Sequence, residues 1–304
     1  MSDREKKLRA PDTARNSLLR HGYSIGKTLG EGAYATVRVA TVLDSNQKEV
    51  AVKLVNKSSA PQDILHKFLP REIEILKKIH HPNVVKLLDV IQTENFVCLV
   101  MEYAQGGDLL DFINAKRNLS DQLARKLFFD LTLGIEACHS MQIVHRDLKC
   151  ENLLIDSQQR LIISDFGFAR QHEGQRLETY CGSYAYAAPE VILGEPYIGP
   201  GADIWSMGVI LYAMVVGRLP FKDSDVKTLL SDIASRLTFP AHVQEPCRNL
   251  IAIMLCFSPD KRGTMTQIKN HTWIINKNED REALQGRTQL TNSRTDLTHN
   301  TMQN

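Results

Sequence analysis

The spacing of apolar positions along the chain changes once, near residue 104. Before that point, short apolar stretches alternate at period two or form continuous β-rich runs. This pattern predicts strands over Thr36–Val42, Val50–Val55 and Phe96–Met101. One helix is predicted among them, near Pro70–Ile79, because proline is tolerated in the first turn of a helix.

After residue 104 the apolar residues recur mainly at helical spacing. Helices are predicted over Asp121–Ser140, Asp203–Val216, Asp225–Ser235 and Cys247–Cys256. Strands first and helices afterwards favour an α+β chain with two lobes and a cleft between them. We expect a small β-rich lobe over 21–103 and a larger helical lobe over 104–276.

The two ends of the chain read differently. Residues 1–20 contain six basic and three acidic residues and little apolar material, which predicts a flexible, solvated tail. An arm that touches a membrane surface is the alternative interpretation. Residues 277–304 hold eight charged residues and present no apolar face for burial, so a second flexible tail is predicted there.

Composition narrows the class of protein. With 304 residues, 43% of them hydrophobic and 24% charged, the chain is expected to be globular. The net charge of +2 gives no reason to expect nucleic acid as a partner. The longest apolar run, Ile204–Gly217, is shorter than the ~20 residues that span a bilayer, so no membrane association is expected. Six cysteines without a C-x-x-C pair favour a cytoplasmic protein.

The first candidate for chemistry is the sequence from Gly30 to Val37, GEGAYATV. Two glycines one residue apart allow backbone N–H groups to approach a phosphate closely. A simple hairpin turn explains the same glycines. A strand, and not a helix, follows them, which disfavours a dinucleotide site.

Lys53 and Glu72 form the second candidate. Lys53 lies inside an apolar strand, where a lysine is rarely buried without a partner. Glu72 begins an i, i+3, i+4, i+7 stripe whose other members are Ile75, Leu76 and Ile79, so an acid faces the core. We predict that the two pair and position an ammonium for a phosphate. The alternative is a lysine that extends to solvent from an edge strand.

The third candidate is the run HRDLKCEN, residues 145–152, followed by Ser164–Gly167. Asp147, Asn152 and Asp165 offer hard oxygen ligands, which suit Mg²⁺ shared with substrate phosphates. A polar loop with salt bridges is the plain alternative. We interpret His145, which has apolar neighbours, as a packing residue and not a base.

These motifs together resemble the eukaryotic protein kinases over about residues 23–276. The resemblance rests on the Gly-rich loop, V-A-V-K, HRDLKCEN, DFG and AAPE at kinase spacing. FLPREIEIL (68–76), HRDLKCEN and CGSYAYAAPE (181–190) are more narrowly similar to the testis-specific serine/threonine kinases, within the calcium/calmodulin-dependent-kinase-like group. The resemblance implies a two-lobed α+β kinase fold with ATP bound in the cleft.

The resemblance also implies roles for individual residues. Asp147 would accept or orient the substrate proton, Lys149 would steady the γ-phosphate, and Asn152 and Asp165 would hold Mg²⁺. Ala35 replaces the third glycine of the loop, so altered nucleotide affinity is the most we expect. The ATP-binding residues implied are Leu29, Gly30, Glu31, Gly32, Val37, Ala51, Lys53, Glu72, the gatekeeper Met101, the hinge residues Glu102 and Ala104, Asp108 and Leu154.

Related kinases imply structural roles as well. Asp203 would brace the catalytic loop, which is the HRDLKCEN run at residues 145–152, and Glu190 would pair with Arg262. The stacked side chains that link the lobes would be Leu76, Leu87, His145 and Phe166.

Regulation follows from the same resemblance. Thr179 stands where related kinases carry an activating phosphate, and Arg146 would be its guanidinium partner. Tyr180 and Ser183 are alternative phosphosites, although Ser183 is also expected to bridge Asp147 and Lys149. The activating enzyme would be an upstream kinase or the chain itself.

The implied function is transfer of phosphate from Mg-ATP to serine or threonine of protein substrates by a monomer. Glu151 and Asp108 suggest a preference for a basic residue before the acceptor. The alternatives are a catalytically weak kinase-fold scaffold and a small-molecule kinase. The presence of Lys53, Asp147 and Asp165 disfavours the scaffold.

Overall fold

The computed structural model describes residues 12–44, 46, 48–172, 176–177, 183–221, 225–235 and 237–275. Short 3-10 turns lie at Cys150–Asn152, Tyr184–Tyr186 and Pro259–Lys261. The helices and strands, in chain order, are α1 (Asp12–Arg20), β1 (Tyr23–Glu31), β2 (Ala35–Val42), β3 (Glu49–Asn56), a π-helix (Ile64–Phe68), α2 (Leu69–Lys78), β4 (Leu87–Gln92), β5 (Phe96–Glu102), α3 (Leu109–Lys116), α4 (Asp121–Ser140), β6 (Ile143–Val144), β7 (Leu153–Ile155), β8 (Leu161–Ile163), β9 (Arg170–Gln171), α5 (Pro189–Ile192), α6 (Gly199–Val216), α7 (Val226–Ala234), α8 (Glu245–Met254) and α9 (Met265–Lys269).

The smaller lobe is built on a five-stranded antiparallel sheet with strand order β1-β2-β3-β5-β4. Side chains alternate between its two faces, as a pleated strand requires. In β3, Val50, Val52 and Leu54 belong to a core on one face, whereas Val55 belongs to the core that includes α2. Lys53 shares the parity of Val55 and therefore points toward α2 and the cleft.

Helix α1 corrects the prediction of a flexible tail over 1–20. Residues 12–20 are helical, and Ala14 and Leu18, four residues apart, are completely buried in the same core as Val50 and Val52. The composition of residues 1–20 did not indicate this helix. Only two of its apolar side chains are buried, and their burial is possible only where the sheet lies next to them. The predicted tail over 277–304 lies outside the described residues, as do residues 1–11.

The larger lobe surrounds α4 and α6. The described helix that is long and apolar enough to cross a membrane by length and composition is α6, and 78% of that window is buried inside the fold. It also carries a buried acid, Asp203, whose partners lie in the same lobe. We therefore interpret α6 as the core helix of this lobe. Glu190 and Arg262 form a buried bidentate pair at 2.7 and 2.8 Å, as predicted.

The structure confirms most predicted elements and extends some of them. Helix α4 has the predicted bounds, and α6 begins four residues earlier than predicted, at Gly199. The helix predicted near Pro70–Ile79 occupies Leu69–Lys78 and is preceded by the π-helix, which no sequence pattern indicated. The β-rich and helical lobes predicted from the spacing of apolar residues are both present.

Candidate functional site

An ion triad links the two lobes. The Lys53 Nζ atom lies 2.7 Å from Glu72 Oε1 and 3.1 Å from Asp165 Oδ1, so β3, α2 and the segment after β8 meet at one ammonium. The predicted Lys53–Glu72 pair is confirmed. The contact between Lys53 and Asp165 was not predicted from the pattern, because 112 residues separate the two in sequence.

Local sequence explains why these side chains point inward. Glu72 is 4% exposed and lies on the buried face of α2 with Ile75 and Leu76. Burial alone would lower the pKa of Lys53, but the carboxylates of Glu72 and Asp165 outweigh that effect and raise it above its usual value. Lys53 also holds the pKa of Asp165 below its usual value, against the opposing effect of burial. Burial raises the pKa of Glu72, and the positive charge of Lys53 opposes that rise.

The catalytic loop collects the second group of polar side chains. Asn152 donates through Nδ2 to the backbone carbonyl of Asp147 at 2.9 Å and to Asp147 Oδ2 at 3.0 Å. The same carboxylate oxygen lies 3.0 Å from Lys149 Nζ, which is 3.4 Å from the Ser183 hydroxyl. Asp147 is 5% exposed, and its Oδ1 is buried without a hydrogen-bond partner among the described residues. This oxygen can accept a proton or a hydrogen bond from a bound hydroxyl.

Asp203 holds the catalytic loop in shape from α6. Its carboxylate accepts from the backbone N–H groups of His145 and Arg146, each at 2.9 Å, and contacts His139 Nε2 at 2.9 Å. Arg146 has a φ of 67°, a left-handed conformation that is costly for a residue with a side chain. The two N–H bonds to Asp203 stabilise that backbone. His145 is fully buried, and its ring lies 4.9 Å from that of Phe166, which confirms its packing role.

The Gly-rich loop forms the roof of the cleft. The Gly32 N–H donates to the Ala35 carbonyl at 2.7 Å and closes the turn between β1 and β2. Ala35 is the first residue of β2, pairs with Val55, and does not adopt the left-handed conformation that would require glycine. The methyl group that departs from the kinase pattern therefore lies on a regular strand. The loop's geometry does not depend on a third glycine.

One cavity joins the loop, the triad and the catalytic loop. Tyr34 and Phe168, which sequence reasoning did not single out, also line it. The predicted site residues on its wall are Gly30, Glu31, Gly32, Val37, Lys53, Glu72, Lys149, Asn152 and Asp165.

Apart from Val37, the predicted adenine-side residues, which lie on β1, β3, β5 and β7 and in the segment that follows β5, do not line that cavity. Ala51 is paired with Met101 across β3 and β5, and Asp108 forms a bridge with Leu154. Leu29, which is 41% exposed, lies on β1. Glu102 and Ala104 line a separate cavity together with residues 79–82, 156–157 and 160.

Three arginines converge beside the cleft, and sequence reasoning identified only one of them. Arg146 donates through Nε to the Phe168 carbonyl at 2.8 Å, while its Nη1 is buried without a hydrogen-bond partner among the described residues. Burial and the positive charges of Arg170 and Arg146 lower the pKa of Arg71. Arg71 directly precedes Glu72 in the sequence, and from this position its place near the site could have been predicted. Thr179, the predicted phosphosite, lies outside the described residues.

Comparison with known proteins places this geometry in a family. The family model described as "Protein kinase domain" matches residues 23–274. Testis-specific serine/threonine-protein kinase 1 of Mus musculus is 44% identical over 267 residues, which covers 84% of this chain and 73% of the mouse protein. Testis-specific serine/threonine-protein kinase 4 of Homo sapiens is 41% identical over 283 residues, covering 86% of each chain.

A plant relative extends the comparison beyond the testis-specific kinases. The SNF1-related protein kinase catalytic subunit alpha KIN12 of Arabidopsis thaliana is 44% identical over 256 residues, or 84% of this chain and 51% of the plant protein. The family-model match over residues 23–274 covers the cleft, the catalytic loop and the helical lobe described above. The chain belongs to the protein kinase family and is a serine/threonine kinase, which uses ATP with a divalent metal and acts on protein substrates.

Proposed function

We propose that this kinase transfers the γ-phosphate of ATP to serine or threonine with Mg²⁺ as its metal, and that Lys53, Asp147, Lys149, Asn152 and Asp165 carry the reaction. The observation that supports this most directly is the single cavity whose wall carries Lys53, Lys149, Asn152 and Asp165 from both lobes. Asp147 lies beside these groups, because its Oδ2 contacts Asn152 and Lys149 at 3.0 Å each. Lys53, held by Glu72, would grip the α- and β-phosphates. Lys149 would face the γ-phosphate from the opposite lobe.

The donor set fits Mg²⁺. Asn152 spends its amide nitrogen on Asp147, so its Oδ1 oxygen is the atom left for a cation. Asp165 adds a carboxylate, and hard oxygen donors are those that Mg²⁺ prefers. Among the described residues, no group of three or more His, Cys, Asp or Glu side chains could hold a metal. A bound Mg²⁺ would share its shell with water and phosphate and neutralise charge on the transferring group.

Asp147 would receive or orient the proton of the acceptor hydroxyl. Its Oδ2 is occupied by Asn152 and Lys149, which leaves the buried Oδ1 for the substrate. The nearby Ser183 hydroxyl would steady Lys149 on the substrate side.

The remaining ATP contacts would come from the rest of the cleft. The backbone of Gly30 and Gly32 would cover the phosphates, and Asp108 would lie near the ribose. We also propose that the protein acts as a cytoplasmic monomer without membrane attachment. The apolar side chains that would enclose the adenine are Leu29, Val37, Ala51, Met101 and Leu154, next to the Glu102–Ala104 hinge.

Phosphorylation of Thr179 would switch the enzyme on. Arg71, Arg146 and Arg170 gather positive charge at one place, and the buried Nη1 of Arg146 lacks a hydrogen-bond partner among the described residues. A phosphate would supply the negative charge that balances these arginines and the oxygen acceptors for their N–H groups. It would tie the activation segment, residues 165–190, to α2 and to the catalytic loop. An upstream kinase or another copy of this chain would add it.

Incubating the pure protein with ATP and mapping phosphate by mass spectrometry tests both the activity and the switch. We expect Mg²⁺-dependent phosphate on Thr179, and none when EDTA replaces the metal. Thr179→Ala should lower peptide phosphorylation by about tenfold or more, since two or three charge-assisted hydrogen bonds would be lost. Absence of phosphate on every residue would favour a scaffold. A Thr179→Ala enzyme as active as phosphorylated wild type would remove the switch.

The substrate side of the cleft supports a preference for basic residues before the acceptor. Glu151 is exposed at the cavity wall, and its Oε2 accepts from the Tyr186 hydroxyl at 3.3 Å. Arg176 stands three residues before Thr179, so the chain's own activation segment satisfies such a preference.

Paired peptides check this preference. A serine peptide with arginine two and three residues before the acceptor should show about tenfold higher kcat/KM than its alanine counterpart, as one charge-assisted hydrogen bond implies. Glu151→Gln should reduce that ratio, whereas Glu94→Gln, an exposed acid in the β4–β5 turn, should not. Equal rates for both peptides in wild type would refute the preference.

A further inference from the structure

An aromatic contact joins the start of α2 to the segment that follows Asp165-Phe166-Gly167. The rings of Phe68 and Phe168 lie 6.0 Å apart at an interplanar angle of 68°, an edge-to-face arrangement. Both side chains are half-buried at the wall of the catalytic cavity. The backbone of Phe168 is itself fixed, because its carbonyl accepts from Arg146 Nε at 2.8 Å.

Phe68 occupies a special position in the chain. It is the last residue of the π-helix, where the N–H of Leu69 bonds the carbonyl of Ile64, five residues back. Such wide turns are uncommon and often occur at functional positions. Phe68 is also four residues before Glu72, so the two side chains lie on the same face of the helical segment. A contact made by Phe68 therefore helps to fix the position of the helix that carries Glu72.

The charges around this contact act in the opposite direction. Arg71 on α2 lies in the positive field of Arg146 and Arg170, an effect that Glu74 opposes, and like charges disfavour a close approach of α2 to the catalytic loop and β9. Even so, Lys53 and Glu72 remain 2.7 Å apart. Contacts between α2 and the segment 165–171 must offset the repulsion as long as no anion lies among the arginines.

We propose that Phe68 and Phe168 are positioning residues, which keep α2 and Glu72 in the catalytic arrangement while the three arginines hold no anion. The inference rests on the proposed function, because the anion would be the phosphate on Thr179. Once bound, that phosphate draws the same elements together. The aromatic contact then becomes dispensable, so it sets the activity of the unphosphorylated enzyme and not that of the activated one.

Kinetics in two states of the full chain test the proposal. In a Thr179→Ala background, Phe68→Ala and Phe168→Ala should each lower kcat/KM for ATP by about 3- to 10-fold, the rate equivalent of an aromatic pair. The double variant should lose no more than either single variant. Phe68→Tyr, which keeps the ring, should restore the rate. In the enzyme that retains Thr179 and is phosphorylated there, Phe68→Ala should lower kcat/KM for ATP by less than about twofold.

The matched control is Phe257→Ala, since Phe257 is 50% exposed in the larger lobe. Phe257→Ala should leave kcat/KM for ATP unchanged both in the Thr179→Ala background and in the enzyme phosphorylated on Thr179. Equal losses in both states, or losses that add in the double variant, would overturn the proposal.

Hydrogen exchange separates this inference from the proposed function. In the protein without nucleotide, the backbone amides of 69–78 should exchange faster in Phe68→Ala and Phe168→Ala than in wild type. This measurement holds even for a protein without turnover, whose inactivity would refute the proposed function alone. Unchanged exchange in both variants would refute the positioning role.

Discussion

Replacing Asp147 with asparagine is expected to lower kcat for peptide phosphorylation by about 10²- to 10⁴-fold, the usual contribution of a general base or positioning carboxylate. Asparagine has nearly the same shape, so packing around this 5% exposed side chain should persist. What changes is the charge that Lys149 contacts at 3.0 Å and the acceptor capacity at the buried Oδ1. Steady-state rates with saturating ATP and peptide measure the effect.

Asp111→Asn is the matched control, because Asp111 is an exposed acid in the first turn of α3. It should retain the wild-type rate and melting temperature. A near-normal rate for Asp147→Asn, with the protein folded, would contradict the role given to Asp147. A wild-type protein that transfers no phosphate at all would instead support the scaffold alternative.

Lys53→Met should reduce kcat/KM for ATP by about 10²-fold or more, the loss typical when one electrostatic donor to a developing charge is removed. Methionine has a similar length but no charge. The variant also leaves Glu72, whose side chain is 5% exposed, without its cation at 2.7 Å. Removing one partner of a buried pair typically costs about 3–5 kcal/mol, and the 17% exposure of the Lys53 side chain places the expected loss toward the lower end.

A double variant separates the lost chemistry from the lost stability. Lys53→Met with Glu72→Gln removes the unpaired buried charge, so the melting temperature should recover while activity does not. Lys78→Met is the control, because Lys78 and Glu74 form an equally short but exposed pair at 2.7 Å. If activity returned in the double variant, the ammonium of Lys53 would not be needed for catalysis.

Particular residues show which elements and contacts could be predicted from the sequence alone. Helix α4 was predicted with its observed bounds, because apolar residues recur at helical spacing along its 20 residues. The Lys53–Glu72 pair was predicted from two charged residues, each of which lies on the buried face of its own element. Both inferences needed only residues close together in the chain, where side-chain periodicity is fixed by backbone geometry.

Other features could not be predicted, because they depend on contacts between distant segments. Among the described side chains of helix α1, Ala14 and Leu18 are the buried ones, and their burial becomes favourable only against the finished sheet. The contact between Phe68 and Phe168 joins side chains 100 positions apart. The gathering of Arg71 and Arg170 around Arg146 likewise arises from three separate elements.

The amino-acid sequence by itself predicted the two lobes, since the periodicity of apolar residues is a local property of the chain. Its motifs, through their resemblance to the protein kinases, also predicted the chemistry and the side chains that we propose for it. Only the tertiary structure decided that Asp165 reaches Lys53, that one buried oxygen of Asp147 has no hydrogen-bond partner among the described residues, and that the rings of Phe68 and Phe168 meet edge to face. The reason is physical. Distances and burial between remote segments depend on how the whole chain packs, and charge interactions follow those distances.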